Sequence, residues 1–359
     1  MTPIESAKKK RAAIRRGLLA WYRREARDLP WRRTKDPYAV WLSEIMLQQT
    51  RVDQGTPYFE RFIAAFPTVQ ALAAARDAQV LKLWEGLGYY SRARNLHRAA
   101  KIVAHEMDGA FPATAEAWQA LPGVGRYTAG AIASIAFDEP VAVLDGNVIR
   151  VLSRIFDITE STDDTRTRDR LWEIAETLVP QKSPGDFNQA MMELGARVCT
   201  PRAPRCADCP VRRQCDALAK GVQEQRPVRK KKAATPHHEY VVGVIPKNGR
   251  YLLAKRPDNG LLGGMWEFPG GPVLPGETHQ VALKRILREG FGVTVKPGGL
   301  IAVVNHAYSH FKVTMNVYRC DWISGTPTPA EHTSTKWVAR SRFADYAFPK
   351  ANHKFLDLL

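Results

Sequence analysis

Four cysteines, Cys199, Cys206, Cys209 and Cys215, crowd into one short stretch with the spacing C-x6-C-x2-C-x5-C, and a fifth, Cys320, lies far away in a strand-like run. Four thiolates so close in sequence can close around a metal centre. Zinc accepts four cysteines, but its usual sites pair two C-x2–4-C knuckles, and only one such pair is present. The crowding is unlike a secreted disulfide scaffold and fits a reducing compartment. Two carboxylates suggest a second chemistry. Glu44, in WLSEIMLQQT, falls mid-helix with Val40 and Trp41 one turn before and Leu47 one turn after. It is either solvated on a helix edge, the usual fate of a glutamate, or kept protonated by an apolar surround. Asp145, in AVLDGNVIRVL, stands just before a helical run, as a turn former, an N-cap or a fixed anion. A neutral acid and an anion in different environments are what cleavage of a glycosidic bond requires. One protonates a poor leaving group, and the other offsets the charge of an oxocarbenium-like sugar. A third feature is LPGVGRYTAG, in which Gly123 and Gly125 precede a helix expected from about Arg126. Glycines let the backbone turn tightly, and the first N–H groups of the helix can then take a phosphate. The alternative is a plain helix–helix turn.

These residues must be positioned by the rest of a 359-residue chain that is 45% hydrophobic and 25% charged, long enough for two or three domains. With 53 Lys and Arg against 36 Asp and Glu, the net charge is +17 and the pI about 9.8, so a polyanion, nucleic acid first, is the expected partner. No stretch approaches the apolar length of a membrane span, and the basic start lacks the apolar core of a secretory signal. An intracellular, cytoplasmic, DNA-associated protein is expected, with no membrane partner. Ile14, Leu18, Trp21 and Tyr22 recur at helical spacing, and Asp36-Pro37 caps a helix with Tyr38, Trp41 and Ile45 on one side. Further helices are predicted over 58–63, 92–106, 167–178 and 188–198, and no strand before the cysteines. The segment 226–236, RPVRKKKAATP, reads as a linker. Beyond it EYVVGVI, RYLLAKR, LIAVV and FKVTMNVY predict strands around one helix over 278–288, an α+β domain.

PWRR, WLSEIMLQQT, EGLGYYSRARNLH, LPGVGRYTAG, LDGNV and the four cysteines occur in that order. From about residue 15 to the end they resemble the endonuclease III superfamily of DNA glycosylases, and within it the MutY-type adenine DNA glycosylases. The resemblance implies an all-α helix–hairpin–helix core with an iron–sulfur loop, plus an α+β Nudix-like domain. It divides the chain into a cluster module of 1–29 with 141–225, a six-helix module of 30–140, a linker at 226–236 and a lesion-reading domain at 237–359. It implies a [4Fe–4S] cluster on Cys199, Cys206, Cys209 and Cys215. That cluster would fix a basic loop against DNA with Arg202, Arg205, Arg212 and Arg213. The implied substrate is double-stranded DNA with adenine opposite 8-oxoguanine or guanine, bound by a monomer. Glu44 would protonate the adenine and later assist water, Asp145 would stabilise the oxocarbenium ion, and Asn147 would orient the site. Trp31, Arg32 and Gln189 would line the adenine pocket, and Gln49 and Tyr89 would wedge into the duplex. Bifunctional relatives carry lysine where this chain has Tyr127; a phenol cannot form an imine, so a monofunctional enzyme is expected. WEFPGG with Gly271-x5-Glu277-x7-Arg285 resembles a Nudix box, but Ile286 and Glu289-Gly290 leave two of its three metal-binding carboxylates absent. The loop NHAYSH would read the lesion through Ser309, with Tyr308 and His310 beside it. The commoner family form has phenylalanine at the position of Tyr308.

Overall fold

The computed structural model describes residues 2–230, 234–308 and 310–359. In chain order its helices are α1 (Pro3–Glu25), α2 (Pro37–Leu47), α3 (Val52–Ala65), α4 (Val69–Ala74), α5 (Asp77–Trp84), α6 (Ser91–Glu106), α7 (Ala115–Gln119), α8 (Arg126–Phe137), α9 (Gly146–Ile155), α10 (Thr165–Leu178), α11 (Pro184–Arg197), α12 (Asp216–Ala219), α13 (His279–Phe291) and α14 (Lys350–Leu356). The strands are β1 (His237–Val244), β2 (Pro246–Lys247), β3 (Arg250–Lys255), β4 (Trp266–Glu267), β5 (Gly270–Pro272), β6 (Val293–Ala307), β7 (Lys312–Gly325) and β8 (Ser334–Ala339). Among the described residues no helix is long and apolar enough to cross a membrane.

Two compact units emerge, Met1–Ala74 with Arg98–Lys232, and Ala75–His97 with Ala233–Leu359. The first is helical. α1 begins at a capping box in which Thr2 and Glu5 exchange bonds, and its Ile14, Leu18, Trp21 and Tyr22 stripe is buried as the periodicity predicts. That stripe joins a core built with α9, α10 and α11, including Val148, Leu152, Leu171, Ile174 and Leu194. Asp36 caps α2 by accepting from the Tyr38 and Ala39 N–H groups, with Pro37 in the first turn. α11 starts at Pro184, four residues before the expected 188, because a proline at the first position needs no hydrogen-bond partner for its nitrogen. The first residues of the expected linker are docked: Val228 accepts from the Thr162 N–H, and Arg226 pairs with Asp157 at 2.8 Å.

The second unit contains both sheets. One is ordered β5-β1-β7-β6, with β1 parallel to β7 and the other pairs antiparallel. The other runs β2-β3-β4, with β8 pairing antiparallel to β3. α13, capped by Thr278, packs its Ala282, Leu283, Ile286 and Leu287 against Val241, Leu252 and Val293. A separate cluster centred on Phe268, Phe343, Phe348 and Phe355 closes the other side of the strands. The segment 75–97, inside the range expected for the six-helix module, groups with this unit.

Candidate active site

Glu44 lies in the middle of α2 and is only 8% exposed. Its Oε2 accepts a 2.8 Å hydrogen bond from the Tyr127 hydroxyl, and that hydroxyl also lies 3.2 Å from the Met192 sulfur. Tyr127 is brought there because α8 starts at Arg126, after the Gly125 cap, which puts it in the first turn. Asp145 caps α9 with Oδ1, which accepts from the Val148 N–H at 2.7 Å, while Oδ2 accepts from Asn147 Nδ2 at 2.8 Å. Asp145 is thus an N-cap whose carboxylate also faces a pocket. That pocket is lined by Glu44, Tyr127, Asp145, Asn147, Trp31, Arg32 and Gln189 among others. Burial pushes the Glu44 carboxyl up to about 7, against the pull of the Tyr127 bond and with a further push from the Asp145 charge. Burial also raises Asp145, but its bonds from Val148 and Asn147 act the other way. The Tyr127 phenol is held well above its usual range by burial and by the two carboxylates. One carboxyl is therefore ready to donate a proton near neutrality, and the other is furnished with donors that favour its anion.

Trp31 is buried in the short 3-10 turn Pro30–Arg32 and packs edge-on against Phe59 at 5.2 Å. Arg32 donates to Glu193 Oε2 at 2.9 Å and lies over the Tyr22 ring. Arg27 takes the same Glu193 in a two-toothed bond at 2.7 and 2.8 Å. Burial alone would raise Glu193, but the two guanidiniums hold it at about 2, an anion in the pocket wall. Glu193 and Met192 escaped the sequence reading. The available signal was their place one turn beyond Gln189 on α11, on the face that lines the pocket. Arg150 was missed as well. It donates to Asn147 Oδ1 at 2.8 Å, to the Gly195 carbonyl at 2.7 Å and to the Cys199 carbonyl at 2.7 Å.

Cys199, Cys206, Cys209 and Cys215 line one cavity, together with apolar side chains, Gln223 and the guanidinium-bearing Arg154, Arg205 and Arg212, and with no carboxylate or imidazole. Arg154 is only 2% exposed; it donates to Cys199 Sγ at 3.2 Å and to the Thr200, Pro201, Gln223 and Arg226 carbonyls. Burial and the facing thiols push Cys206 and Cys215 up, and Cys209 to about 12. Among the described residues, no three of His, Cys, Asp and Glu are grouped so as to hold a metal ion. An all-sulfur donor set around a shared cavity with a buried cation beside it fits a multi-atom, anionic iron–sulfur cluster. Cys320 is buried in the strand core of the second unit, as expected.

Gly123 has φ +77° and Gly125 is extended, and both are exposed between α7 and α8. A Cβ at Gly125 would meet no atom within 4 Å, so internal packing does not require glycine there. Gln49 is exposed just after α2 with φ +56°. In the second unit, Tyr89 is 39% exposed with φ +49°. Tyr308 stands at the end of the β6–β7 hairpin, its ring 4.8 Å from Phe311 and 4.7 Å from His306, and burial pushes its phenol up to about 12. His310 is exposed, and Ser309 lies outside the described residues. In the Nudix-like box, Arg285 is bonded to Glu277 at 2.6 Å, and Ile286 is buried against Gly271.

Residues 42–177 match the HhH-GPD superfamily of base excision DNA repair proteins, and residues 240–358 match the NUDIX domain. The adenine DNA glycosylase of Rattus norvegicus is 39% identical over 396 residues, spanning 95% of this chain and 77% of the relative. A thermostable thymine-DNA glycosylase superposes with a TM-score of 0.54 at 30% identity, over 59% of this chain and 98% of that one. A trapped endonuclease III–DNA covalent intermediate superposes with a TM-score of 0.51 at 21% identity, over 60% of this chain and 98% of that one, a likeness of fold.

Proposed function

Because the chain belongs to the adenine DNA glycosylase family of base excision repair enzymes, we propose that it hydrolyses the N-glycosidic bond of adenine opposite 8-oxoguanine or guanine in duplex DNA, without cutting the strand. The observation that carries this reading is the pairing, within one pocket, of a carboxyl poised near pH 7 with a capped, hydrogen-bonded carboxylate. The adenine is turned out of the duplex into the pocket walled by Trp31, Arg32 and Gln189. Glu44 gives its proton to N7 of the base, so that a neutral purine leaves. Asp145 faces the cationic sugar, and Asn147, gripped by Arg150, holds that carboxylate in place. Glu44, now ionised, accepts a proton from the attacking water. Tyr127 keeps Glu44 oriented throughout.

Gly123 and Gly125 leave the start of α8 open to a backbone phosphate, and Gln49 and Tyr89 each wedge into the duplex beside the lesion. Cys199, Cys206, Cys209 and Cys215 would hold a [4Fe–4S] cluster, which when bound supplies a four-point tie for the basic loop around Arg202, Arg205, Arg212 and Arg213. The Nudix-like domain reads the base opposite the adenine through Ser309, with Tyr308 and His310 beside it. With Ile286 buried where a carboxylate would bind metal, its role is recognition and not phosphate hydrolysis.

A single-turnover assay on duplexes with adenine opposite 8-oxoguanine, guanine or thymine, followed by alkali to reveal abasic sites, tests the reaction. Glu44→Gln is expected to abolish base release while duplex binding persists; unchanged release would overturn the assignment. Monofunctionality is tested with borohydride. Stoichiometric trapping on DNA together with efficient nicking, both lost in Tyr127→Phe, would contradict it.

A further inference from the structure

The turn that presents Tyr89 is built to hold one shape. Gly86, Gly88 and Tyr89 all have positive φ, at +92°, +77° and +49°. For a tyrosine this is a sparsely populated conformation that persists only when its surroundings impose it. Inside the turn, Trp84 Nε1 donates to the Gly88 carbonyl at 3.1 Å, the Gly86 N–H donates to the Tyr90 hydroxyl at 3.0 Å, and Arg92 donates to the Gly88 carbonyl at 3.1 Å. The Arg92 guanidinium also lies 5.4 Å from the Tyr89 ring.

Both flanks of the turn are then tied to the carboxy-terminal part of the same unit. On the leading side, the Glu85 side chain is 13% exposed and takes Lys82 Nζ at 2.6 Å, the Phe348 N–H at 2.6 Å and His353 Nε2 at 3.0 Å. Lys82 donates on to the Tyr346 carbonyl at 2.9 Å. On the trailing side, Arg94 donates to the Gly263 carbonyl at 2.5 Å. A largely buried carboxylate with an ammonium, an imidazole and a backbone N–H converging on it is a costly arrangement that the chemistry of the Glu44 pocket does not use.

We propose that Glu85 is a positioning residue for base extrusion: with Lys82, His353 and the Phe348 N–H it clamps the 85–90 turn to the Nudix-like domain, so that Tyr89 meets the duplex as a preformed wedge. The proposal rests on the reading of Tyr89 as the wedge. A rigid wedge replaces the stacking lost when adenine leaves, whereas a loose one must be ordered in the same step. The clamp therefore matters most when the adenine is fully stacked and least when it is already unpaired.

The test compares single-turnover excision by the full-length protein on two duplexes carrying adenine opposite 8-oxoguanine, one fully paired and one with both flanking pairs mismatched. Glu85→Ala and His353→Ala are expected to slow excision about tenfold on the paired duplex and less than about threefold on the opened one. Tyr89→Ala should give the same pattern, and Glu85→Gln, which keeps an acceptor for the Phe348 N–H, should fall between the parent and Glu85→Ala. Thermal midpoints identify any variant that fails to fold, and His353→Ala and Glu85→Gln then carry the comparison. If Tyr89→Ala discriminates between the duplexes but the Glu85 and His353 variants lose equal activity on both, the clamp is overturned and the wedge stands. If Tyr89→Ala itself does not discriminate, the wedge reading falls and the clamp falls with it.

Discussion

Glu44 and Asp145 are both carboxylates facing one pocket, and their bonding partners divide the labour. Asp145 has two donors and a helix N-terminus, all favouring the anion, while Glu44 has a buried mid-helix position and one phenol. The excision rate should therefore fall as pH rises through about 7, where Glu44 gives up its proton, and this limb should be absent from any residual activity of Glu44→Gln. The Tyr127 hydrogen bond lowers the Glu44 pKa, so Tyr127→Phe should move the alkaline limb to higher pH; a single-turnover pH profile of the two proteins reads the shift. Stability carries the same signature. A folded-state pKa of about 7 against an ordinary 4.5 means that the folded protein keeps a proton which the unfolded chain has already released. Stability then falls as pH rises from 4.5 to about 7, and above that the destabilisation is complete, on the order of 3 kcal/mol. Glu44→Gln should accordingly be more stable than the parent at pH 8 and nearly equal to it below pH 4.5, as measured by urea unfolding at both pH values.

At the scale of elements, two glycines serve opposite ends. A Cβ on Gly195 of α11 would stand 2.6 Å from Asn147 Cβ and 3.1 Å from its Cα, so glycine is what lets α11 lie against the start of α9. Gly195→Ala should push Asn147 away from Asp145, lowering the single-turnover rate about tenfold with duplex affinity retained. It should also move the acid limb of the profile to higher pH, because the Asn147 bond lowers Asp145. Gly125→Ala makes the contrasting case. Its Cβ meets nothing in the protein, so stability should stay within about 0.5 kcal/mol of the parent while duplex binding weakens several-fold. Much of this was legible in the sequence: α2 with its Asp36 cap, the glycine turn before α8 and the Asp145 cap each follow from local residue types. The partners of those residues were not. Glu193 is an ordinary helical glutamate until Arg27 and Arg32, more than 160 positions away, close on it. Met192 reads as a core residue until its sulfur meets the Tyr127 hydroxyl. Side-chain partners brought together by tertiary packing leave no periodic trace.

For the whole molecule, the feature the sequence hid is the grouping of 75–97 with the strands that begin more than 130 residues later. Local pattern shows no strand there and a helix only from about residue 92, which belongs equally well to a run of helices. What assigns the segment is its tertiary partners: Lys82 on the Tyr346 carbonyl, Glu85 on His353 and the Phe348 N–H, and Arg94 on the Gly263 carbonyl. The same unit carries the altered Nudix box, so magnesium and nucleoside triphosphates should yield no phosphate above background in a release assay, since Ile286 is buried in the core and Glu277 is already held by Arg285. The grouping itself has a measurable consequence. Chain segments whose contacts are mutual open together, with one free energy, regardless of their separation in sequence. In native-state hydrogen exchange of the intact protein, amides of 77–97 should share the denaturant dependence and exchange free energies of the slow amides in β1, β7 and α13, and not those of α1, α9 and α11. Glu85→Ala should lower protection across 77–97 while leaving α9 and α11 unchanged. If 77–97 instead exchanged in step with α2 and α8 in the parent protein, the segment would belong to the helical unit, and the assignment of those residues to the strand-bearing unit would be wrong.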